Sequence, residues 1–499
     1  MKLDVIEFCL PVALGLSVLV VHDVPYLLGH SFWADEAWVA DSVRAPAGLT
    51  WSMSSSTPVG WTFLLRLVPF GGPQGLRLVP LAFAALAAAA GYLFGRELHL
   101  TRFATGLLTG AAVLLSPAML VRDDLKQYTA EAFACLVVWV LVARAENKWR
   151  FRRLAAIAAT ASVGMLFAET VIVVGVAAMG GLALECLLTR QYRRLADVAG
   201  ASAGMLAVSF AIYQTLIRPQ LTRTLTAYWN PYYLPTRSWS AALAVIRLRL
   251  DQRAPYMGFG SLAVDAAGAL AGIAALIWLR RFALAAMFPV MLVTVIVAGA
   301  ARKYPFAELR TSTFWLIMVP VLTAVAVAAA GRLAGAVSRS APLAMAAVAL
   351  AVWVPVTGAS IRSHQLPNED VHSEVLYLEA RFRRGDIVVV NYGGSFGFGY
   401  YYSGQPSFPV GHGPNGHVVA YPRLPWILVV GTPPAPDIVD ALATARAEIA
   451  AEPADARGRI WIVRSHTSAN EIMRWRHALA GDRVATIPVG PEPILLLSS

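Results

Sequence analysis

Apolar stretches long enough to cross a bilayer recur along most of this chain. There are about eleven, roughly at 6–22, 74–95, 104–119, 127–145, 154–169, 171–189, 196–216, 261–279, 283–300, 311–330 and 341–358. A hydrocarbon core about 30 Å thick needs about 20 apolar residues in a helix. Lipid leaves no partner for an open backbone, so each stretch is expected as a helix. Composition agrees: 57% of the residues are hydrophobic and only 14% are charged. A soluble chain carries about 25% charged residues. The first stretch has almost no basic lead-in and no small-residue cleavage site before the polar loop, so it is expected as a retained helix.

The net charge of +11 is unevenly placed. Basic clusters follow alternate stretches: Arg96 and Arg102; Arg144, Lys148, Arg150, Arg152 and Arg153; Arg190, Arg193 and Arg194; Arg280 and Arg281; Arg332 and Arg339. Short loops rich in Lys and Arg stay on the cytoplasmic side. The N-terminus is then inside, and the loops 23–73, 120–126, 217–260 and 301–310 and the tail from 359 are outside. The three cysteines fall in the apolar stretches, which points to packing rather than a disulfide framework. Ala- and Arg-rich, Lys-poor usage points to a bacterial source, and hence to a multi-pass protein of the bacterial cell membrane.

Two regions are not spans. Loop 23–73 holds Phe32, Trp33, Trp38, Trp51, Trp61 and Phe63, with amphipathic pieces at Asp35–Arg44 and Val59–Val68. Such aromatic, amphipathic segments suit the membrane interface, as a lid on the outer leaflet. In the tail, β-branched runs at Asp386–Asn391, Trp426–Val430 and Arg459–Val463 alternate with helical patterns at 371–383, 435–450 and 468–480. That alternation predicts a small α/β domain with a mainly parallel sheet. The expected architecture is an α-helical polytopic membrane domain, 1–358, and an extracytoplasmic α/β domain, 359–499.

Charges at the outer ends of the helices carry the chemistry. Asp35 and Glu36 are adjacent carboxylates flanked by Trp33 and Trp38. A carboxylate in a partly dry aromatic pocket can serve as a general base. Equally, Asp35 can open an interfacial helix whose first turn Glu36 supports. Arg122, Asp123, Asp124 and Lys126 crowd one short loop before Tyr128. Basic groups there suit a phosphate, and Tyr128 adds a hydroxyl donor; snorkelling and local ion pairing are the plain alternative. Arg302, Lys303, Tyr304, Pro305, Phe306, Glu308 and Arg310 open the tenth stretch. More base stands in loop 217–260, beside Tyr228, Trp229, Asn230, Pro231, Tyr232 and Tyr233. Together these positive groups suggest an anionic ligand in the outer leaflet. Glu169 lies at a turn between apolar stretches, either as a partner for a basic group or as a simple turn residue.

Other chemistries lack their signatures. There is no Walker A loop, no dinucleotide fingerprint after a strand, no zinc-type spacing and no nucleophile elbow. His412 and His417 share a glycine-rich loop without a third ligand. Basic residues track membrane faces, so no nucleic-acid partner is expected.

On four short motifs the chain resembles the GT-C membrane glycosyltransferases, in particular bacterial relatives of the protein O-mannosyltransferases and the lipid A aminoarabinose transferases. Asp35-Glu36 stands where that family has an Asp-Glu pair in its first outer loop. Thr57-Pro58-Val59-Gly60 resembles a Pro-containing turn later in that loop, without its usual His. Asp124-x-Lys126-x-Tyr128 is similar to an acidic-x-basic-x-Tyr pattern, with Lys126 in place of the more frequent Arg. Tyr304-Pro305-Phe306 with Arg310 resembles the segment before a late helix.

The resemblance implies a sugar donor linked to a polyprenyl phosphate and an extracytoplasmic glycan, lipid or protein acceptor. Asp35 would deprotonate or orient the acceptor hydroxyl, with Glu36 beside it. Arg122, Lys126 and Arg310 would stabilise the departing phosphate, Tyr128 would donate a hydrogen bond, and Asp124, Lys303 and Glu169 would support them. A single displacement would invert the anomeric centre. No cofactor is required, and a divalent metal ion stays open. The main alternative is a transporter or flippase of a lipid-linked sugar; a scaffold whose tail binds a partner is a second.

Overall fold

The computed structural model describes residues 2–50, 57–68, 74–101, 103–120, 124–221, 227–338, 340–363, 369–402, 410–412, 418–420, 426–430 and 437–497, with backbone alone at 2–8, 359–363, 410–412 and 418–420. It falls into two compact units. One comprises Met1–Val24, Arg77–Arg218 and Leu225–Gln365; the other comprises Pro25–Leu76, Pro219–Thr224 and Leu366–Ser499.

The first unit is helical. Each of the eleven apolar stretches carries helix. Among the described residues, seven helices are long and apolar enough to cross a membrane: Gly75–Glu97, Tyr128–Asn147, Val171–Leu188, Tyr192–Gln220, Phe282–Ala300, Thr313–Ala334 and Ala341–Gly358. Cys9–Val21, Ala104–Leu114 and Leu262–Trp278 are apolar but shorter. Large apolar side chains such as Phe210, Leu270, Val293 and Val348 are exposed on these helices. In water such faces would be a liability; against acyl chains they are at home.

Small residues let these helices approach closely. Gly91 and Gly95, four apart on Leu78–Glu97, face Gly106 and Gly110, four apart on Ala104–Leu114. A Cβ on Gly91 would lie 2.8 Å from Val113 Cγ2 and 3.0 Å from the Thr109 carbonyl oxygen. Thr109 Oγ1 donates across the contact to the Gly91 carbonyl at 2.7 Å. Where the surrounding lipid is as apolar as the side chains, such close van der Waals contact and interhelical hydrogen bonding hold helices together. Cys135 and Cys186 are buried as expected of packing residues, whereas Cys9 is exposed.

The second unit joins the first polar loop to the tail. Its sheet has strands β1 (Ile387–Asn391), β4 (Ile427–Val430), β5 (Ile460–Val463), β6 (Val484–Ile487) and β7 (Ile494–Leu497), in the order β4-β1-β5-β7-β6. Strands β2 (Val410–His412) and β3 (Val418–Ala420) form a separate antiparallel pair. β1 pairs in parallel with β4 and β5, but β7 is antiparallel to both β5 and β6. The sheet is therefore mixed, not mainly parallel. The last two strands are short, and their Ile-Leu-Leu-Leu and Val-Ala-Thr-Ile sequences are too brief to distinguish a strand from a buried turn of helix.

Alternation sends Ile387 and Val389 of β1 to one face, where they meet Ile438, Leu442, Ala445 and Ile449 of helix Ile438–Ala451 and Trp475 of helix Ala469–Ala478. All five residues of β1 are buried, so its other face is covered too. Asp386 locks the start of β1. Its Oδ2 accepts from Arg459 Nη2 at 2.7 Å and Trp461 Nε1 at 2.8 Å, and its Oδ1 from the Arg459 N–H at 2.8 Å. Burial opposes its charge, but these donors outweigh burial and hold the carboxyl below the usual range.

Candidate functional site

The Asp35-Glu36 pair opens helix Ala34–Arg44, in the second unit. A helix start leaves its first N–H groups without intrahelical partners. Carboxylates satisfy two N–H groups here. Trp33 N–H donates to Glu36 Oε2 at 3.4 Å, and Ala34 N–H donates to Glu369 Oε2 at 2.9 Å. Negative charge at this end is also favoured by the helix dipole. Glu36 is fully buried and turned onto its own helix start, whereas Asp35 is half-buried.

Residues of the tail fix this segment. Phe32 N–H donates to Tyr401 Oη at 2.7 Å, and Ser31 Oγ donates to the Glu369 carbonyl at 2.6 Å. Trp38 stacks on Phe396 at 5.5 Å between ring centroids. Arg44 donates to the Tyr400 carbonyl at 2.6 Å with its guanidinium 3.6 Å from that residue's own ring centroid. Phe396, Tyr400 and Tyr401 come from helix Tyr392–Tyr401, whose sequence YGGSFGFGYY gives little hint of a helix. Its start is capped by Asn391, whose side-chain oxygen accepts from Gly394 N–H at 3.0 Å. Pro58 stands just before helix Val59–Leu65, as the turn motif suggested, and Trp61 on that helix is fully buried.

The other candidates lie in the first unit. Asp124 and Lys126 are buried, and Lys126 N–H donates to Asp124 Oδ1 at 3.3 Å. Tyr128 is buried at the first position of helix Tyr128–Asn147. Arg310 is oriented from three directions. Its Nε donates to Glu308 Oε1 at 3.1 Å, its Nη2 donates to Tyr228 Oη at 2.6 Å, and its guanidinium lies 5.7 Å from the Trp229 ring. Glu308 is itself held by Thr311 N–H at 2.9 Å. The same aromatic run gathers two more cations: Arg249 over Tyr232 at 4.5 Å and Arg302 over Tyr233 at 5.3 Å. A guanidinium fixed this way is set to meet an anion without first losing side-chain freedom.

Lys303 is exposed on the turn after helix Phe282–Ala300, and Glu169 is exposed on the turn before Val171–Leu188. Arg122 and His417 lie outside the described residues. Among the described residues no three His, Cys, Asp or Glu side chains are grouped as a metal ion requires.

Two features of the region escaped the sequence reading. Glu131, one turn into helix Tyr128–Asn147, is buried and lies within reach of the charges of Glu169 and Glu308. A carboxylate inside an apolar stretch was the available signal. The second is the pair Glu369 and His466, bonded at 2.8 Å through His466 Nδ1. Neither residue belongs to a motif.

No family model matches this sequence, and no curated protein matches it. Among solved structures, ArnT from Cupriavidus metallidurans in the apo state is similar, with TM-score 0.59 and 15% identity over 97% of each chain. The same protein bound to undecaprenyl phosphate matches with TM-score 0.58 and 14% identity, again over 97% of each chain. At such identity the shared property is the fold: this chain has the fold seen in ArnT, a mostly helical membrane unit with a small C-terminal sheet.

Proposed function

We propose that this protein is a membrane glycosyltransferase that moves a sugar from a polyprenyl-phosphate donor to an acceptor outside the cytoplasm. One observation carries the reading: its fold matches ArnT from end to end, and ArnT has been crystallised with undecaprenyl phosphate. The preset Arg310, the buried Lys126 and the half-buried Asp35 support it.

In this reading Asp35 takes the proton of the acceptor hydroxyl as that oxygen attacks the anomeric carbon. The bond from the carbon to the lipid phosphate oxygen breaks, and its electrons leave with the phosphate. Lys126, Arg310 and Arg122 stabilise that growing charge, with a hydrogen bond from Tyr128. Asp124 and Glu308 orient the cations, Glu36 holds the helix start that presents Asp35, and Lys303 and Glu169 act further out. One displacement inverts the anomeric configuration. The activated sugar arrives on its lipid, so no nucleotide site is needed. The assignment of 1–358 as the catalytic membrane domain, with 359–499 outside the cytoplasm, belongs to the same proposal.

The test uses purified protein with a panel of radiolabelled polyprenyl-phosphate sugars, wild type beside Asp35→Asn. Donor hydrolysis or transfer by the wild type should fall by about a hundredfold or more in the variant. Tight donor binding without turnover, unchanged in Asp35→Asn, would instead make the protein a flippase of the lipid-linked sugar.

A further inference from the structure

After β5 the chain turns through Ser465 and His466. The backbone of His466 is left-handed, with φ +58°. A non-glycine residue adopts that conformation at a cost, and sites that keep it are often functional. Here Glu369 holds the imidazole. Its Oε1 is 2.8 Å from His466 Nδ1, and its Oε2 accepts from Ser465 Oγ at 3.1 Å and from Ala34 N–H at 2.9 Å. One carboxylate thus ties the imidazole to the backbone N–H beside Asp35. The Trp33 ring stands 6.1 Å from the imidazole. All these groups belong to the same compact unit.

An ionised carboxylate only accepts hydrogen bonds, so Nδ1 carries the proton and Nε2 of the neutral ring carries the lone pair. Nε2 has no hydrogen-bond partner among the described residues, and the His466 side chain is 55% exposed. The hydrogen bond that His466 donates to Glu369 raises the imidazole above its ordinary 6.5; burial opposes this, and the charges of Glu369, Asp35 and Glu492 add to it. These charges face His466 from three places: the start of helix Ala34–Arg44, the segment before helix Val371–Glu379, and the turn before β7. Arg464 and Glu374 in turn feel the charge of Glu492.

We propose that Glu369 and His466 form a proton relay for Asp35, with His466 Nε2 taking the proton that Asp35 removes from the acceptor and passing it to water. This rests on the transferase reading above. The acceptor's proton moves to the Asp35 carboxylate as the glycosidic bond forms. It then moves to Nε2, giving an imidazolium paired with Glu369. From there it leaves to solvent, and Asp35 returns to its ionised form. Glu369 and His466 act through Asp35 and are positioning residues rather than groups that touch the sugar.

The experiment measures kcat and donor KM against pH for the full-length protein in its active panel assay. His466→Asn is the first variant, because Asn tolerates a left-handed backbone and cannot carry the proton. Wild-type kcat should rise with pH through the imidazole's titration. In His466→Asn that limb should vanish, kcat should fall about tenfold or more with KM unchanged, and added imidazole should restore part of the rate. Glu369→Gln should move the limb to lower pH, since the imidazolium loses its counter-charge. A wild type that turns over while His466→Asn keeps its pH profile overturns the relay alone. A wild type that turns over no donor overturns the transferase reading and the relay with it.

Discussion

A carboxyl group's position in this fold sets the sign of its contribution, and the tail shows both signs. Asp386 is ionised and well supplied with donors, so it stabilises the folded state above the unfolded pKa and ceases to do so as pH falls through its depressed value. Glu374 is the opposite case. It is buried on helix Val371–Glu379, and its Oε2 has no hydrogen-bond partner among the described residues. Burial pushes its pKa up to about 9; Glu492 and Asp370 reinforce the shift, Arg464 opposes it, and Glu369 adds to it. With a folded pKa above the unfolded one, folding favours the protonated acid. That support is complete below the unfolded pKa of about 4.3 and is lost as pH rises through about 9. Glu374→Gln keeps the shape without the charge. It should match wild type near pH 4 and be more stable at pH 7 by about 2–4 kcal/mol. Thermal unfolding of both proteins across pH reads this directly, and a gap that does not widen with pH would refute the burial argument. None of this was legible beforehand. Asp35-Glu36 and Asp124-x-Lys126-x-Tyr128 announce themselves by adjacency, whereas Glu369, Glu374, His466 and Glu492 become neighbours only when β5 and β7 are paired.

The elements were legible in proportion to how much their own sequence decides them. A long apolar run in lipid has one low-energy state, so every apolar stretch carries helix. β1, β4 and β5 are rich in Ile and Val, which suit a pleated, buried surface. Helix Tyr392–Tyr401 defeats such reading because four of its ten residues are glycine, a poor helix former. Burial of eight of its residues, helped by its Asn391 cap, overrides that propensity. Helix pairing was likewise only latent in the sequence, in glycines spaced four apart. Its cost can be measured. A Cβ at Gly95 would lie 2.6 Å from the Thr105 carbonyl oxygen and closer still to Thr109 Oγ1, and that backbone oxygen cannot simply swing away. Gly95→Ala should therefore destabilise the helical unit by about 1–3 kcal/mol, as overpacking does. Gly200→Ala, in helix Tyr192–Ile212 with nothing within 4 Å of the added atom, should be neutral or slightly stabilising. Equal effects at the two sites in detergent melting curves would count against close packing at Gly95.

At the scale of the chain, sequence order and spatial grouping part company. Residues 25–76 lie between two apolar stretches, yet they join the tail rather than the helices around them. The bonds that do this, Ser31 to Glu369 and Phe32 to Tyr401, span more than three hundred residues. No periodicity encodes such a pairing. Part of the loop's aromatic content is buried in the structure: Phe32, Trp33 and Trp61. What sequence does encode at this scale is orientation. Moving a loop with several Lys and Arg across a bilayer is disfavoured, and the basic turns alternate in phase with the apolar stretches. That phase predicts the turn at Arg190–Arg194 inside and the tail outside. A cysteine-free version carrying a single cysteine at Thr444, exposed on helix Ile438–Ala451, tests it. Thr444→Cys should react with a membrane-impermeant maleimide in intact cells, whereas a cysteine at exposed Arg193 should react only after permeabilisation. The reverse pattern would put the tail in the cytoplasm. Asp35 lies in the unit that holds the tail, so its acceptor would then have to be cytoplasmic, and the proposed direction of transfer would fail with the topology.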